Sequence, residues 1–255
     1  MVLKQKIASG KLTIGSWLQI SHPSIAEVMC QAGFEWLTID MEHSAITLDS
    51  ALEMIRVVEL SGVTPLVRVG ENNLTVIKRV MDLGAYGVIV PMVNTRADAE
   101  AAVEAVRYPP RGMRGVGLFR AQGYGFSFER YKKWLEEESI VIAQIEHITA
   151  IENLEHILNV KGIDGTIIGP YDLSGSLGSP GDFAKKEVKD ALNRYEQVSR
   201  EMKKPMGYHV VQPEPKDVIS CIQKGYTFIA VGLDFLYLGG KCRETIESIR
   251  KGVEI

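Results

Sequence analysis

One rhythm constrains this chain more than any other feature. Eight short apolar runs, at 12–20, 35–42, 64–70, 86–93, 140–147, 163–170, 205–211 and 226–234, alternate with longer stretches whose apolar residues recur at helical spacing. "SIAEVMCQAG", "LDSALEMIRVVELSG", "NLTVIKRVMDLG" and "AIENLEHILNV" are such stretches. Gly33, Gly62, Gly84 and Gly225 stand just before the next strand, where a helix closes through a left-handed residue. Strands this apolar need cover on both faces, which an alternating chain supplies with helices. Eight such units predict an α/β fold, a closed parallel (β/α)8 TIM barrel. It spans 1–255 as one domain, with the active site at the C-terminal ends of the strands. An open doubly wound sheet competes with this reading. That fold carries a glycine-rich loop after its first strand, and "WLQISHPS" has no glycine.

The net charge of −3, with Lys and Arg scattered over helix faces, lacks the basic stripe that a nucleic-acid partner requires. No apolar run approaches the roughly 20 residues that span a bilayer, and "MVLKQKIASGKL" is too short in apolar residues for a signal peptide. Cys30, Cys221 and Cys242 are odd in number and unpatterned, as suits a reducing compartment. The chain therefore reads as a cytoplasmic protein with neither nucleic acid nor membrane as partner.

Polar residues collect at one end of the predicted strands: Trp17 and Gln19 on the first, Asp40, Glu42 and His43 on the second, and Arg68 on the third. Gln144 and Glu146 follow on the fifth, Asp172 after the sixth, His209 on the seventh and Asp234 after the eighth. Side chains two apart on a strand share a face, so Asp40 pairs with Glu42 and Gln144 with Glu146. This convergence argues for an enzyme. Glu146 and Asp172, on adjacent strands, form either a pair of caps or ion pairs, or a site for a hard divalent ion. Arg68 is either an anion ligand or the partner of Asp40 or Glu42. His43 is either a general base or a loop hydrogen-bonder, and Trp17 either walls a pocket or fills the barrel. His22, His147 and His209 are weaker candidates, and His156 reads as a helix-surface residue. No lysine falls inside a predicted strand, so Schiff-base carbonyl chemistry is disfavoured and a metal would have to be the electron sink. Two long connections, 108–139 and 171–182, are expected on the C-terminal face as a lid or specificity wall.

"GSWLQI", "DMEHSAI", "PLVRVG", "GAYGVIVPMVNTRADAE", "PPRGMRGVG", "AQIEH" and "GIDGTIIGPYDLSGSLG" resemble, in order and over nearly the whole chain, the metal-dependent class II pyruvate aldolases of the HpcH/HpaI family. That group includes 4-hydroxy-2-oxoheptanedioate, 2-dehydro-3-deoxyglucarate and 2-keto-3-deoxy-sugar-acid aldolases. The resemblance implies a lyase reversibly cleaving a 4-hydroxy-2-oxo acid to pyruvate and an aldehyde with Mg²⁺, Mn²⁺ or Co²⁺. It makes Glu146 and Asp172 the metal ligands, His43 the base and Arg68 the group that polarises the pyruvyl oxygen. It further implies that Gln144 orients the metal site, that the backbone at Tyr171 and Asp172 receives the pyruvate carboxylate and that Trp17 lines the pocket. Asp82 matches a carboxylate that reaches His43 from a neighbouring subunit. The assembly implied is a homohexamer of dimers exchanging a last helix, for which "FLYLGGKCRETIESIRKG" is the candidate. Tyr171, His147 and "LFRAQGYGFSFERY" depart from the family pattern, which has alanine, threonine and a short alanine-rich continuation there. We expect Tyr171 and the loop residues Arg120, Tyr124 and Phe126 to reshape the aldehyde side, with Arg120 contacting a distal carboxylate or hydroxyls. The other readings are a CoA-thioester lyase of the citrate lyase β-subunit type and a catalytically silent sugar-acid-binding barrel. The first wants a basic groove that the sequence does not show, and intact Glu146, Asp172, His43 and Arg68 speak against the second.

Overall fold

In a computed structural model that describes residues 1–253, the eight runs become eight parallel strands. They are β1 (Thr13–Leu18), β2 (Trp36–Asp40), β3 (Thr64–Arg68), β4 (Gly87–Val90), β5 (Ile140–Ile145), β6 (Gly165–Ile168), β7 (Met206–Val210) and β8 (Phe228–Leu233). Each pairs with the next, and β8 closes on β1 with a register shift between Gly15 and Trp17. Helices lie between the strands and pack on the outer face. Leu37, Ile39, Val67, Val88, Val141 and Ala143 belong to that outer core.

Alternation along each strand sends the other residues inward, and they change character along the barrel axis. On β2 the inward series runs Trp36, Thr38, Asp40, on β3 Leu66 to Arg68, and from β5 Ile140, Ile142, Gln144 to Glu146 just past its end. The lower part of the interior is an apolar plug. Trp36 stacks on Phe228 with ring centroids 4.2 Å apart, and a Cβ on Gly15 would fall inside the Trp36 indole, so glycine is required there. Leu3 and Ile7 of a short helix, Leu3–Ala8, join the same cluster. The upper part is polar, so the site sits on a packed floor.

The segment 108–139 corrects an expectation. Its predecessor "RADAEAAVEAV" is itself the crossover helix, Arg96–Val106, capped by a Thr95–Asp98 box. The insertion follows that helix and therefore lies at the N-terminal end of the barrel, not over the site. It folds as a 3-10 turn, Arg120–Gly125, and a helix, Phe128–Glu137. The Arg114 guanidinium, fully buried, ties it down by donating to the Tyr131 hydroxyl at 2.8 Å and to Asp82 at 2.6 Å. The segment 171–182 does follow a strand directly and lies on the C-terminal face, beginning in a helix Pro170–Ser176. Among the described residues no helix is long and apolar enough to cross a membrane.

Candidate active site

Asp40 and Arg68 face each other at paired positions of β2 and β3. Arg68 donates from Nε to Asp40 Oδ1 at 2.9 Å and from Nη2 to Oδ2 at 2.7 Å, a two-pronged contact that fixes the guanidinium plane. Gln19 Nε2 also donates to Asp40, as do the backbone amides of Glu42 and His43. Burial alone would raise the Asp40 carboxyl, but the Arg68 hydrogen bonds and charge, helped by Gln19, outweigh it and hold the group below the usual carboxylate range. Arg68 also lies 3.0 Å from Glu42 Oε2 and stacks 4.3 Å above the Trp17 ring. The Arg68–Glu42 contact is an ion pair without good hydrogen-bond angles, since that oxygen has no aligned donor. The structure thus shows Arg68 as the partner of both Asp40 and Glu42. Trp17 is fully buried and fills the barrel interior, stacked on His209 at 5.1 Å. Burial lowers the His209 imidazole to about 4, and its Nε2 lies 3.1 Å from the Gly232 carbonyl, so the ring is neutral at physiological pH.

Glu146 forms the second half of the site. It is 3% exposed, and its two oxygens accept from Met92 N at 2.6 Å and from Gln144 Nε2. Burial raises its carboxyl, those two donors oppose the rise, and the nearby charges of Glu42 and Asp172 add to it. Glu42 is raised likewise by burial, against Arg68 and with Asp40 and Asp172. Glu42 and Asp172 thus both add negative charge near Glu146, Arg68 pairs with Glu42, and Asp172 is itself exposed. No salt bridge reaches Glu146 or Asp172 among the described residues. Like charges brought close together favour a cation or a proton between them. Gly169 leaves the room: a Cβ there would sit 3.0 Å from Glu146 Cβ and 3.1 Å from Oε2. Among the described residues no group of three or more His, Cys, Asp or Glu is set to hold a metal by itself. Two carboxylates with open positions nevertheless suit a divalent ion whose shell is completed by water or substrate.

His43 sits at the rim with 59% of its side chain exposed, its Nε2 3.8 Å from Glu42 Oε2. Tyr171 stands beside Asp172 in the first turn of the Pro170–Ser176 helix and meets Phe183 edge-on at 5.0 Å. Asp234 holds the turn after β1, accepting from Gln19 N and Ile20 N on one oxygen. His22 and His147 are helix caps: each Nδ1 accepts a backbone amide two residues on, at 3.1 Å. That explains His147 as a departure with a structural role.

Two expected residues lie elsewhere in the chain. Arg120 is not brought to the carboxylates; it is paired with Glu59 and donates to the Leu83 carbonyl at 3.0 Å, at the N-terminal end of the barrel. There it borders a cavity of about 590 Å³ with Tyr86 and Trp134. Its expected contact with substrate is therefore not made within the chain, because the loop carrying it follows a helix rather than a strand. Asp82, near the end of the helix Leu74–Leu83, lies at that end too, with Arg114 and Gln122 both bound to Oδ1. Met92 and Gly169 were missed as contributors. Met92 acts through its backbone and leaves no sequence signal, whereas a glycine directly after an apolar strand was a readable one.

A polar, carboxylate-rich mouth on an apolar floor, at the C-terminal ends of the strands, is where enzymes of the (β/α)8 class carry their active sites. Comparison narrows this. The HpcH/HpaI aldolase/citrate lyase family model matches residues 13–238, and the chain belongs to that family. It is 42% identical to a 4-hydroxy-2-oxovalerate aldolase of Rhodococcus jostii (strain RHA1) over 91% of this chain and 89% of that protein. A 2-keto-3-deoxy-L-rhamnonate aldolase of Escherichia coli (strain K12) is 34% identical over 98% and 93% respectively. The crystal structure of an HpcH/HpaI aldolase/citrate lyase family protein from Burkholderia cenocepacia J2315 superposes with a TM-score of 0.92, at 29% identity, covering 97% of this chain and 98% of that one. These relatives make the chain an aldolase, a carbon-carbon lyase, and favour that reading over a CoA-thioester lyase or a silent binder.

Proposed function

We propose that the chain reversibly cleaves a 4-hydroxy-2-oxo acid to pyruvate and an aldehyde, with Glu146 and Asp172 holding a divalent cation such as Mg²⁺, Mn²⁺ or Co²⁺. The observation that carries this reading is the buried Glu146 carboxylate, raised by burial and by Glu42 and Asp172, with a neutral cradle at Gly169 and no cationic partner among the described residues. When bound, the cation supplies an electrophile for the negative charge that develops on the 2-oxygen of pyruvate.

The chain's own residues divide the remaining work. Arg68, held flat by Asp40 and by the Trp17 ring, keeps Nη1, which faces Glu42, clear of Asp40 for the same oxygen and shares its charge. Gln144 and the Met92 amide fix the Glu146 carboxylate. Backbone amides at Tyr171 and Asp172, in the first turn of their helix, receive the pyruvate carboxylate. His43, beside Glu42 at the rim, takes the proton of the 4-hydroxyl as the C3–C4 bond breaks, the enolate left behind gains a proton at C3 from solvent to become pyruvate, and the synthetic direction reverses both transfers. Tyr171, backed by Phe183, borders the aldehyde side.

Assembly completes the reading. Asp82 Oδ2 carries neither the Arg114 nor the Gln122 bond, which suits a reach to His43 of a neighbouring copy. The last helix, Asp234–Gly252, is exposed from residue 239 onward, with Leu238, Ile246 and Ile249 each about half exposed. It suits exchange between subunits of a hexamer, measurable by light scattering. A soluble, cytoplasmic enzyme is the corresponding setting. The function is tested by incubating the protein with pyruvate, short aldehydes and each metal, with and without EDTA. Aldol product that disappears with chelator is expected; product formation indifferent to EDTA would overturn the metal role, and no product with any aldehyde would overturn the aldolase reading for these acceptors.

A further inference from the structure

Met92 carries a backbone conformation that its residue type does not favour. Its φ is +52°, in the left-handed region where a Cβ crowds the following carbonyl. Its side chain is 48% exposed, so packing does not demand methionine there. Both flanks hold it in place. Pro91 and Val93 are buried, Asn94 N and Thr95 N donate to Asp98 Oδ2 at 3.0 and 2.8 Å, and Asn153 Nδ2 donates to the Asn94 carbonyl at 3.1 Å. Strain that surroundings over-determine in this way is typical of functional positions. Its product is visible: the Met92 amide points across from β4 and donates to Glu146 Oε1 at 2.6 Å.

We infer that Met92 is a positioning residue, whose left-handed backbone aims one amide at Glu146 and so orients this carboxylate toward the divalent ion. The inference rests on the metal reading above. Gln144 occupies the other oxygen, so the pair of donors leaves one remaining lone pair on each oxygen at a set angle.

The test compares Met92→Val with Met92→Asn, following Mn²⁺ binding by electron paramagnetic resonance and stability by thermal melting. Valine disfavours the left-handed region, while asparagine tolerates it. Met92→Val is expected to weaken Mn²⁺ binding by about tenfold, the lower end for loss of a group supporting a metal ligand. Met92→Asn should retain wild-type affinity. If Met92→Val lowers the melting temperature but leaves Mn²⁺ affinity unchanged, or if Met92→Asn weakens binding as much as valine does, the inference fails while the metal site stands. If the wild-type protein binds no Mn²⁺, the metal reading fails and takes the inference with it.

Discussion

Replacing Asp40 by Asn tests the frame on which the site is built. The Asp40 carboxylate is fully buried and accepts from Arg68 twice, from Gln19 and from two backbone amides. Asparagine keeps the shape but offers one acceptor oxygen and turns an amide group toward the Arg68 donors. Arg68, only 9% exposed, would keep a single anionic partner, Glu42. Removing one member of a buried pair costs about 3–5 kcal/mol, because the other charge remains buried and uncompensated. That is a large part of the roughly 5–15 kcal/mol available to a folded protein. Urea denaturation at pH 7 would measure it. The pH dependence supplies a second signature. Asp40 has a depressed carboxyl in the folded state, so the stability it contributes is present above its unfolded value near 4 and is lost as pH falls through the lower folded value. The gap between wild type and Asp40→Asn should therefore narrow below pH 4. The double variant Asp40→Asn with Arg68→Met should recover part of the loss. A cost under about 1 kcal/mol at pH 7, or a double variant as unstable as the sum of the two singles, would refute the reasoning.

Three further outcomes follow from the geometry. His209 is held neutral, with its imidazole lowered to about 4, so the unfolded chain binds its proton first and stability should fall as pH drops from about 6.5 toward 4. Comparing His209→Asn with wild type across that window in urea should remove about 1–3 kcal/mol of slope, the lower figure allowing for solvent at the partly exposed ring. Glu146→Gln should abolish Mn²⁺ binding measured by calorimetry while relieving carboxylate crowding, so its melting temperature should not fall below that of the wild type by more than a few degrees. Tyr171→Ala should change the ratio of kcat/KM between bulky and small aldehydes severalfold yet keep turnover with small ones; loss of activity with every acceptor would place Tyr171 in the pyruvate half of the site.

The barrel was readable because its signal is repetitive: eight apolar runs and their helices state one architecture eight times. The polar mouth was readable for a related reason. Inward positions change from apolar to polar along β2, β3 and β5, so Asp40, Arg68, Gln144 and Glu146 could be placed by counting in twos. The misplaced segment shows where counting stops. Alanine-rich "RADAEAAVEAV" has weak helical amphipathicity, and without that helix the long connection shifts from one end of the barrel to the other, carrying Arg120 with it. Met92 lay outside any reading of side-chain chemistry, since its contribution is an amide and a dihedral angle. Asp82 carries no signal in within-chain spacing, since it lies near the end of a helix and its expected role is between copies.

Stabilisation of a pyruvate enolate, the role proposed for this site, can be measured without knowing the aldehyde. Pyruvate in D2O, followed by proton NMR with the protein and Mn²⁺ or Mg²⁺ at trace level, should exchange its methyl protons for deuterium at a rate proportional to enzyme. Exchange should stop with EDTA, with Arg68→Ala and with Glu146→Gln. Methyl protons that persist at the uncatalysed rate in the presence of metal-loaded wild-type protein would contradict the account.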